Sequence, residues 1–234
     1  MKLICVDLGD RQDYTAIAVL EVIEHTLTRN KDIPGSPPQF FDGLERVYDV
    51  VIRFLERMPL GGGYPKVIER IKVIANHPII AGDNFVLLVD ATGVGVPVIQ
   101  NMRENDLRPI GIMITGGVTE SLTDLGFTVP KRELVSALQL LFQSRRLKIP
   151  TEIEYKNEFV EELQNFKVKI NEKAHETFGA GKEDVHDDLV IAVSMGAWYI
   201  SRTMSSRKII RKPRFKDDKG GKYSINTGLY ERYK

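Results

Sequence analysis

Two apolar runs of strand length, Leu3-Ile4-Cys5-Val6 and Phe85-Val86-Leu87-Leu88-Val89, each stop on an aspartate, Asp7 and Asp90. Runs that are apolar at every position belong in the middle of a sheet covered on both faces. A carboxylate at the end of such a strand loses much of its hydration. It must then be paired, protonated or used to hold a cation. A third acidic group, Asp187-Asp188, opens the stretch Leu189 to Ile200, which reads as a helix buried nearly all round. Ala192, Gly196 and Ala197 on that helix permit close approach to a sheet. Carboxylates delivered from three separate places to the rim of one core suggest oxygen ligation of hard divalent cations.

The rest of the chain predicts what brings them together. Residues 2–8 read as a central strand and Tyr14–Ile23 as a second, joined in a hairpin by the turn at Asp10-Arg11-Gln12-Asp13. A Pro/Gly loop fills 30–43, Tyr48–Leu55 is a third strand, and a helix runs from about Pro65 to Asn76. Phe85–Asp90 is the fourth strand, Val96–Asn105 a helix and Pro109–Ile114 the fifth strand, followed by a Gly/Thr-rich excursion through 116–128. Helices are expected over Lys131–Ser144, Ile153–Asn165 and Val185–Arg202, with a strand at Phe166–Ile170 and a loose loop at Phe178–Lys182. This order predicts an α/β fold, a mixed five-stranded sheet with helices on both faces. Helical crossovers favour a parallel pairing of the first and fourth strands, which would set Asp7 beside Asp90.

Composition narrows the classes. With 42% apolar and 28% charged residues in 234, the chain has the make-up of an ordinary globular protein. No apolar run reaches the ~18–20 residues needed to cross a bilayer, and the N-terminus carries no signal-peptide pattern. The single cysteine, Cys5, excludes an intrachain disulfide and a cysteine zinc site, and lies within the first strand as a small core residue. Residues 201–234 hold eleven Lys and Arg against three Asp and Glu, while the preceding 200 residues hold 22 against 29. An acidic body with a basic tail suits a metal-dependent enzyme that meets a polyanion; a solvated tail is the plainer alternative.

Each acid also has an ordinary reading. Asp90-Ala91-Thr92-Gly93 is a turn in which the aspartate would cap backbone N–H groups. Asp187 or Asp188 would serve as a helix-start acid, and Asp7 would pair with a buried cation. His186 fits a capping or supporting role better than a ligand, and His25, His77 and His175 show no ligand spacing.

Three segments taken together carry a resemblance: Val6-Asp7-Leu8-Gly9 with Asp13-Tyr14-Thr15-Ala16-Ile17, Val89-Asp90-Ala91-Thr92-Gly93-Val94-Gly95, and His186-Asp187-Asp188-Leu189-Val190. In this order they resemble the ribonuclease H-like nuclease domain of bacteriophage terminase large subunits, in the wider integrase and resolvase superfamily. Tyr48–Ile74 and Val129–Val135 are similar to that family too, so the resemblance spans residues 2–204. It implies a catalytic, metal-holding triad of Asp7, Asp90 and Asp188, with Asp187 as a further metal-site acid and Asp13 and His186 in support. Two Mg²⁺ or Mn²⁺ ions would be the cofactors, and double-stranded viral DNA, cut during genome packaging, the substrate. Among His186, Asp187 and Asp188 the direct third ligand stays open, with Asp188 favoured. Lys131, Arg132 and Lys182 are candidate DNA contacts, with Arg145, Arg146 and Lys148 as further basic candidates.

The resemblance also implies partners (the terminase ATPase domain, the small terminase and the portal) in the cytoplasm of an infected bacterial host, and no membrane. One departure is that the chain has no Gly-x-x-x-x-Gly-Lys-[Ser/Thr] phosphate loop. Residues 1–204 are therefore expected to be a nuclease domain that cuts without translocating DNA, and 205–234 a basic, flexible tail. A Holliday-junction resolvase or transposase would share the triad and the fold. An actin-like ATPase or sugar kinase would use Asp7-Leu8-Gly9 and Thr15 on phosphate, but its duplicated second half is not evident. A DNA- or portal-binding module with an inert site is the non-enzymatic alternative.

Overall fold

Alternation along the central strands decides the architecture. The computed structural model describes residues 1–9, 13–28, 44–81, 85–93, 95–172 and 186–205. Strand β1 (Lys2–Asp7) is buried on both sides: Leu3 and Cys5 enter one apolar core, Ile4 and Val6 another. Strand β4 (Phe85–Asp90) repeats the pattern, with Leu88 in the first core and Leu87 and Val89 in the second. Side chains two apart on a strand share a face, so Asp7 and Asp90 both continue the face of Cys5 and Leu88.

Around this pair lie β2 (Ala16–Thr28), β3 (Leu44–Arg57), β5 (Pro109–Thr115), β6 (Ser121–Thr123), β7 (Gly126–Pro130) and β8 (Leu147–Lys148). The sheet order is β6-β7-β5-β4-β1-β2-β3-β8. β1 runs parallel to β4 and β4 to β5, whereas β2 is antiparallel to both β1 and β3. The central five strands, β3-β2-β1-β4-β5, thus have the ribonuclease H-like order, and the predicted parallel pairing of the first and fourth strands is present.

Helices α1 (Gly63–Ala75) and α3 (Gly95–Glu104) cover the face of Ile4 and Val6 through Val67, Ile68, Ile71, Ile99 and Met102, beside the short α2 (Pro78–Ala81). Helices α4 (Lys131–Gln143), α5 (Lys156–Glu172) and α6 (Asp188–Ser205) belong to the other face. From Leu189 to Ala197 the α6 side chains are buried, which explains its near-continuous apolar sequence. At Gly196 a Cβ would stand 2.3 Å from Leu20 Cδ1 and 2.9 Å from Cys5 Sγ, so the glycine lets α6 lie directly on β1 and β2. Cys5 is fully buried there, which pushes its thiol pKa up and keeps it unreactive.

Two expectations need correction. The sheet has eight strands rather than five: β6 and β7 form within the supposed excursion, and β8 adds at the β3 edge. The strand expected at Phe166–Ile170 is helix, the second half of α5. Its alternation of apolar and basic residues fits a strand, but α5 continues straight through it from the face already set by Phe159, Leu163 and Phe166. The loops at 30–43 and 178–182, with Lys182 and His175, and the tail from 206 on lie outside the described residues.

Candidate active site

One transverse row of the sheet builds the site. In the ladders, Asp7 lies opposite Ala16, and Ala16 opposite Arg57 at the end of β3. On the other side of β1, Val6 pairs with Val89, so Asp90 follows one residue further along. Arg57, Ala16, Asp7 and Asp90 therefore stand abreast on four neighbouring strands, facing the helix layer that contains α6. Ala16 is fully buried and small, so nothing bulky divides the arginine from the aspartates. The first turn of α6 brings Asp188, with His186 and Asp187 just ahead of it.

Asp7 and Asp90 are close enough to share a hydrogen bond, and burial raises both of their pKa values. For Asp7, repulsion from Asp90, Asp188 and Asp187 adds to the rise. Asp90 keeps one oxygen on the backbone: Oδ1 accepts the Thr92 N–H at 2.7 Å, and Thr92 Oγ1 accepts the Ile114 N–H at 2.8 Å. The turn reading of Asp90 is thus met through Oδ1, and the same carboxylate also faces Asp7. Asp188 has its pKa raised to about 6, chiefly by burial, against the pull of Arg57 and His186. Asp187 and the exposed Asp13 push in the same direction as burial.

The positive groups are distributed unevenly. Lys131, the first residue of α4, donates to Asp187 Oδ2 at 2.9 Å and has its ammonium 5.5 Å from the Phe166 ring centre. Arg57 Nε and His186 Nδ1 stand 3.9 and 3.6 Å from the same oxygen, Asp188 Oδ2. His186 packs edge-on against Tyr14, with 5.1 Å between ring centres, and the Arg57 guanidinium lies 5.4 Å from the Tyr14 ring centre. Arg132 instead bonds the Val118 carbonyl and pairs with Glu133. Arg146 lies over Tyr48, and Lys148 bonds the Arg145 carbonyl and approaches Asp49, so these basic residues have partners on the β8 side.

The sequence reading missed Arg57 and Glu162. Glu162 is only 4% exposed although it is charged. Its Oε1 accepts from Arg57, and its Oε2 accepts the Val190 N–H in the first turn of α6 at 2.9 Å. Burial pushes its pKa up to about 7 in spite of these two donors. The available signal was its position, three residues after Phe159 and four before Phe166, on the helix face that the apolar residues define.

The donor set is all carboxylate, which is the chemistry hard divalent cations require. Asp188 Oδ2 is buried and has no hydrogen-bond partner among the described residues. As the side chains stand, however, no three His, Cys, Asp or Glu residues among those described are grouped closely enough to hold one ion together. Asp7 and Asp90 face each other, while Asp188 is turned to Arg57 and His186.

No family model and no curated protein matches the chain. Two solved structures are similar to it. The large terminase nuclease from thermophilic phage G20c is 18% identical over 83% of this chain and 79% of its own, with a TM-score of 0.47. The human cytomegalovirus terminase nuclease domain is 14% identical over 88% of this chain and 86% of its own, with a TM-score of 0.46. Both are terminase nucleases. No helix among the described residues is long and apolar enough to cross a membrane.

The raised carboxylates set the direction of the pH response. A carboxyl group whose pKa rises on folding stabilises the fold below its ordinary value, and that gain is lost as pH climbs through the raised one. For Asp188 the window runs from 3.8 to about 6, and for Glu162 from 4.5 to about 7. Glu120, held low by Arg202, works in the opposite sense, but only at and below its ordinary value of 4.5. The melting temperature is therefore expected to be higher at pH 5 than at pH 8, by several degrees. Thermal melts followed by circular dichroism across that range, without divalent ions, check this; a rise toward pH 8 would contradict the burial of these groups.

Proposed function

We propose that the chain is a divalent-metal-dependent DNA endonuclease, and that it is the nuclease part of a viral genome-packaging terminase. The observation that carries the reading is the delivery of Asp7, Asp90 and Asp188 to one rim of a ribonuclease H-like sheet, from three distant places in the sequence. Their mutual repulsion and buried setting give the site a standing demand for positive charge. The sequence resemblance supplies the substrate: double-stranded DNA, with a packaging ATPase, small terminase and portal as partners, in the host cytoplasm.

In this reading Asp7 and Asp90 would hold one cation, and Asp188, with Asp187 beside it, would complete a second position. Bound Mg²⁺ or Mn²⁺ would activate water and neutralise charge on the phosphate and on the leaving oxygen. The residues of the chain do the rest. Thr92 fixes Asp90 by its backbone, so that only one side of that carboxylate is free for a ligand. Lys131, already at the site on Asp187, is placed to pass from that carboxylate to a DNA phosphate. Arg132 would contact DNA further out on the same helix, and Lys182, outside the described residues, stays a candidate by sequence alone.

The deciding experiment is nicking of supercoiled plasmid with Mg²⁺, Mn²⁺ or EDTA, for wild type beside Asp90→Asn and Asp188→Asn. Cutting that needs metal, ignores ATP and disappears in both variants is expected. No cutting with either metal, together with no rise in melting temperature on adding Mn²⁺ at pH 8, would point instead to an inert binding module. A resolvase or transposase-type enzyme would reveal itself by preferring branched or end-specific DNA over plain duplex.

A further inference from the structure

A buried ion pair is costly to desolvate, and a hydrophobic pair of the same volume often serves stability better. The Arg57–Glu162 pair is such a case, with side chains 17% and 4% exposed and their residues 105 apart in sequence. It is also tied to the site at both ends. Glu162 grips the first turn of α6 through Val190 N–H, two residues beyond Asp188. Arg57 uses its terminal nitrogen on Glu162, lies against Tyr14, and turns Nε toward Asp188 Oδ2. At 3.9 Å the two atoms are too far apart for a hydrogen bond, and both are buried with no hydrogen-bond partner among the described residues. A small movement would join them. Arg57 therefore stands where it satisfies Asp188 in place of an ion, which accounts for three acids not converging on one point.

We infer that Arg57, held in place by Glu162, is a positioning residue that serves as the built-in counter-cation of Asp188, competing with the divalent ion at that carboxylate while orienting it for cleavage. The inference rests on the nuclease reading above, and deepens it by making the two ion positions unequal. At the Asp7–Asp90 position the positive group acting on Asp90 is Lys131 rather than Arg57, and that position fills first. The Asp188 position fills only when Arg57 gives way, as an arriving DNA phosphate would induce by drawing the guanidinium to itself.

The test separates binding from cutting. Mn²⁺ binding is measured by calorimetry at pH 8 without DNA, and plasmid nicking alongside it, for Arg57→Met, Arg57→Lys, Glu162→Gln and Asp7→Asn, each checked for fold by circular dichroism. Removing one positive charge about 4 Å from a ligand should tighten Mn²⁺ binding by on the order of tenfold or more in Arg57→Met. Its cutting should nevertheless fall, because Asp188 loses its orientation. A residue that merely braced the fold would lower both quantities together.

Arg57→Lys keeps the charge and should bind Mn²⁺ as wild type does, but a point charge cannot serve Glu162 and Asp188 at once, so cutting falls. Glu162→Gln retains an acceptor for Val190 N–H and leaves Arg57 uncompensated, so Mn²⁺ should bind more weakly. Unchanged or weaker Mn²⁺ binding in a folded Arg57→Met would overturn the inference, as would unchanged or tighter binding in Glu162→Gln should the first variant fail to fold. If wild type binds Mn²⁺ and Asp7→Asn does not, either of those results removes only the counter-cation. If wild type binds none, the carboxylate-site reading falls, and this inference with it.

Discussion

Asp7→Asn is expected to abolish metal-dependent DNA cutting, with a loss of about a thousandfold or more, and at the same time to make the chain harder to melt. Both effects come from one cause. Asp7 is partly buried at the end of the central strand, and Asp90, Asp188 and Asp187 all raise its pKa beyond what burial does. Asparagine keeps the volume and removes the charge. On the proposed reading the first ion would then lose a ligand, and the expected rate loss is that of removing a principal electrostatic stabiliser of the transition state. Relief of the repulsion should add about 1–2 kcal/mol of stability at pH 8, a usual yield for neutralising a strained functional site. For a chain of this size each kcal/mol is worth roughly 2–4 °C in melting temperature. The gain should shrink as pH falls and wild-type Asp7, whose pKa is raised by burial and by its acidic neighbours, takes up its proton. Paired thermal melts and nicking assays decide it: a folded Asp7→Asn that cuts at the wild-type rate removes this residue from the site.

Gly126→Ala is expected to be the most damaging single methyl group in the sheet. Gly126 lies opposite Gly111 where β7 pairs with β5, and its φ of +148° is one that side chains rarely adopt. A Cβ there would stand 2.0 Å from the Gly111 carbonyl oxygen and 2.7 Å from its nitrogen. Those are backbone atoms of a paired strand and cannot swing aside. Overpacking and backbone strain together should cost on the order of 3–5 kcal/mol, a large part of the stability of an ordinary domain. Gly111→Ala is the control. Its Cβ would approach the Leu125 carbonyl at 3.1 Å, a contact that a small adjustment relieves. Urea melts should show a steep loss for the first substitution and a slight one for the second. Because β7 leads straight into Lys131, any folded Gly126→Ala should also bind DNA more weakly.

Asp7 and Asp90 were legible from sequence because a strand buried on both faces has an unambiguous signature, and an acid that ends such a strand stands out against its apolar run. The helix that carries Asp188 was legible for the same reason. Arg57 and Glu162 were not, since each looks like ordinary surface charge within its own element. Arg57 closes a strand that also bears Arg53 and Glu56, and Glu162 follows Glu161 on a helix with many charges. Their meaning comes from a partner 105 residues away, and only the fold supplies it. The short strands β6, β7 and β8 escaped notice because two to five residues, bounded by Gly and Pro in β7, carry too little period-two pattern to stand out from a loop. The Phe166–Ile170 segment failed in the opposite way: a clean local alternation was overruled by the packed helix that precedes it.

The row that forms the site is gathered from residues 7, 16, 57, 90 and 188, so its last member is also the last to be made. Until residues 188–205 have been made, the emerging chain has its central aspartates but no α6 to lay against them. The face that will hold α6 is then bare Leu3, Cys5, Ala18 and Leu20. On the proposed reading the cutting site would be completed only when α6 docks, and a chain abandoned before residue 188 would leave the DNA around it intact.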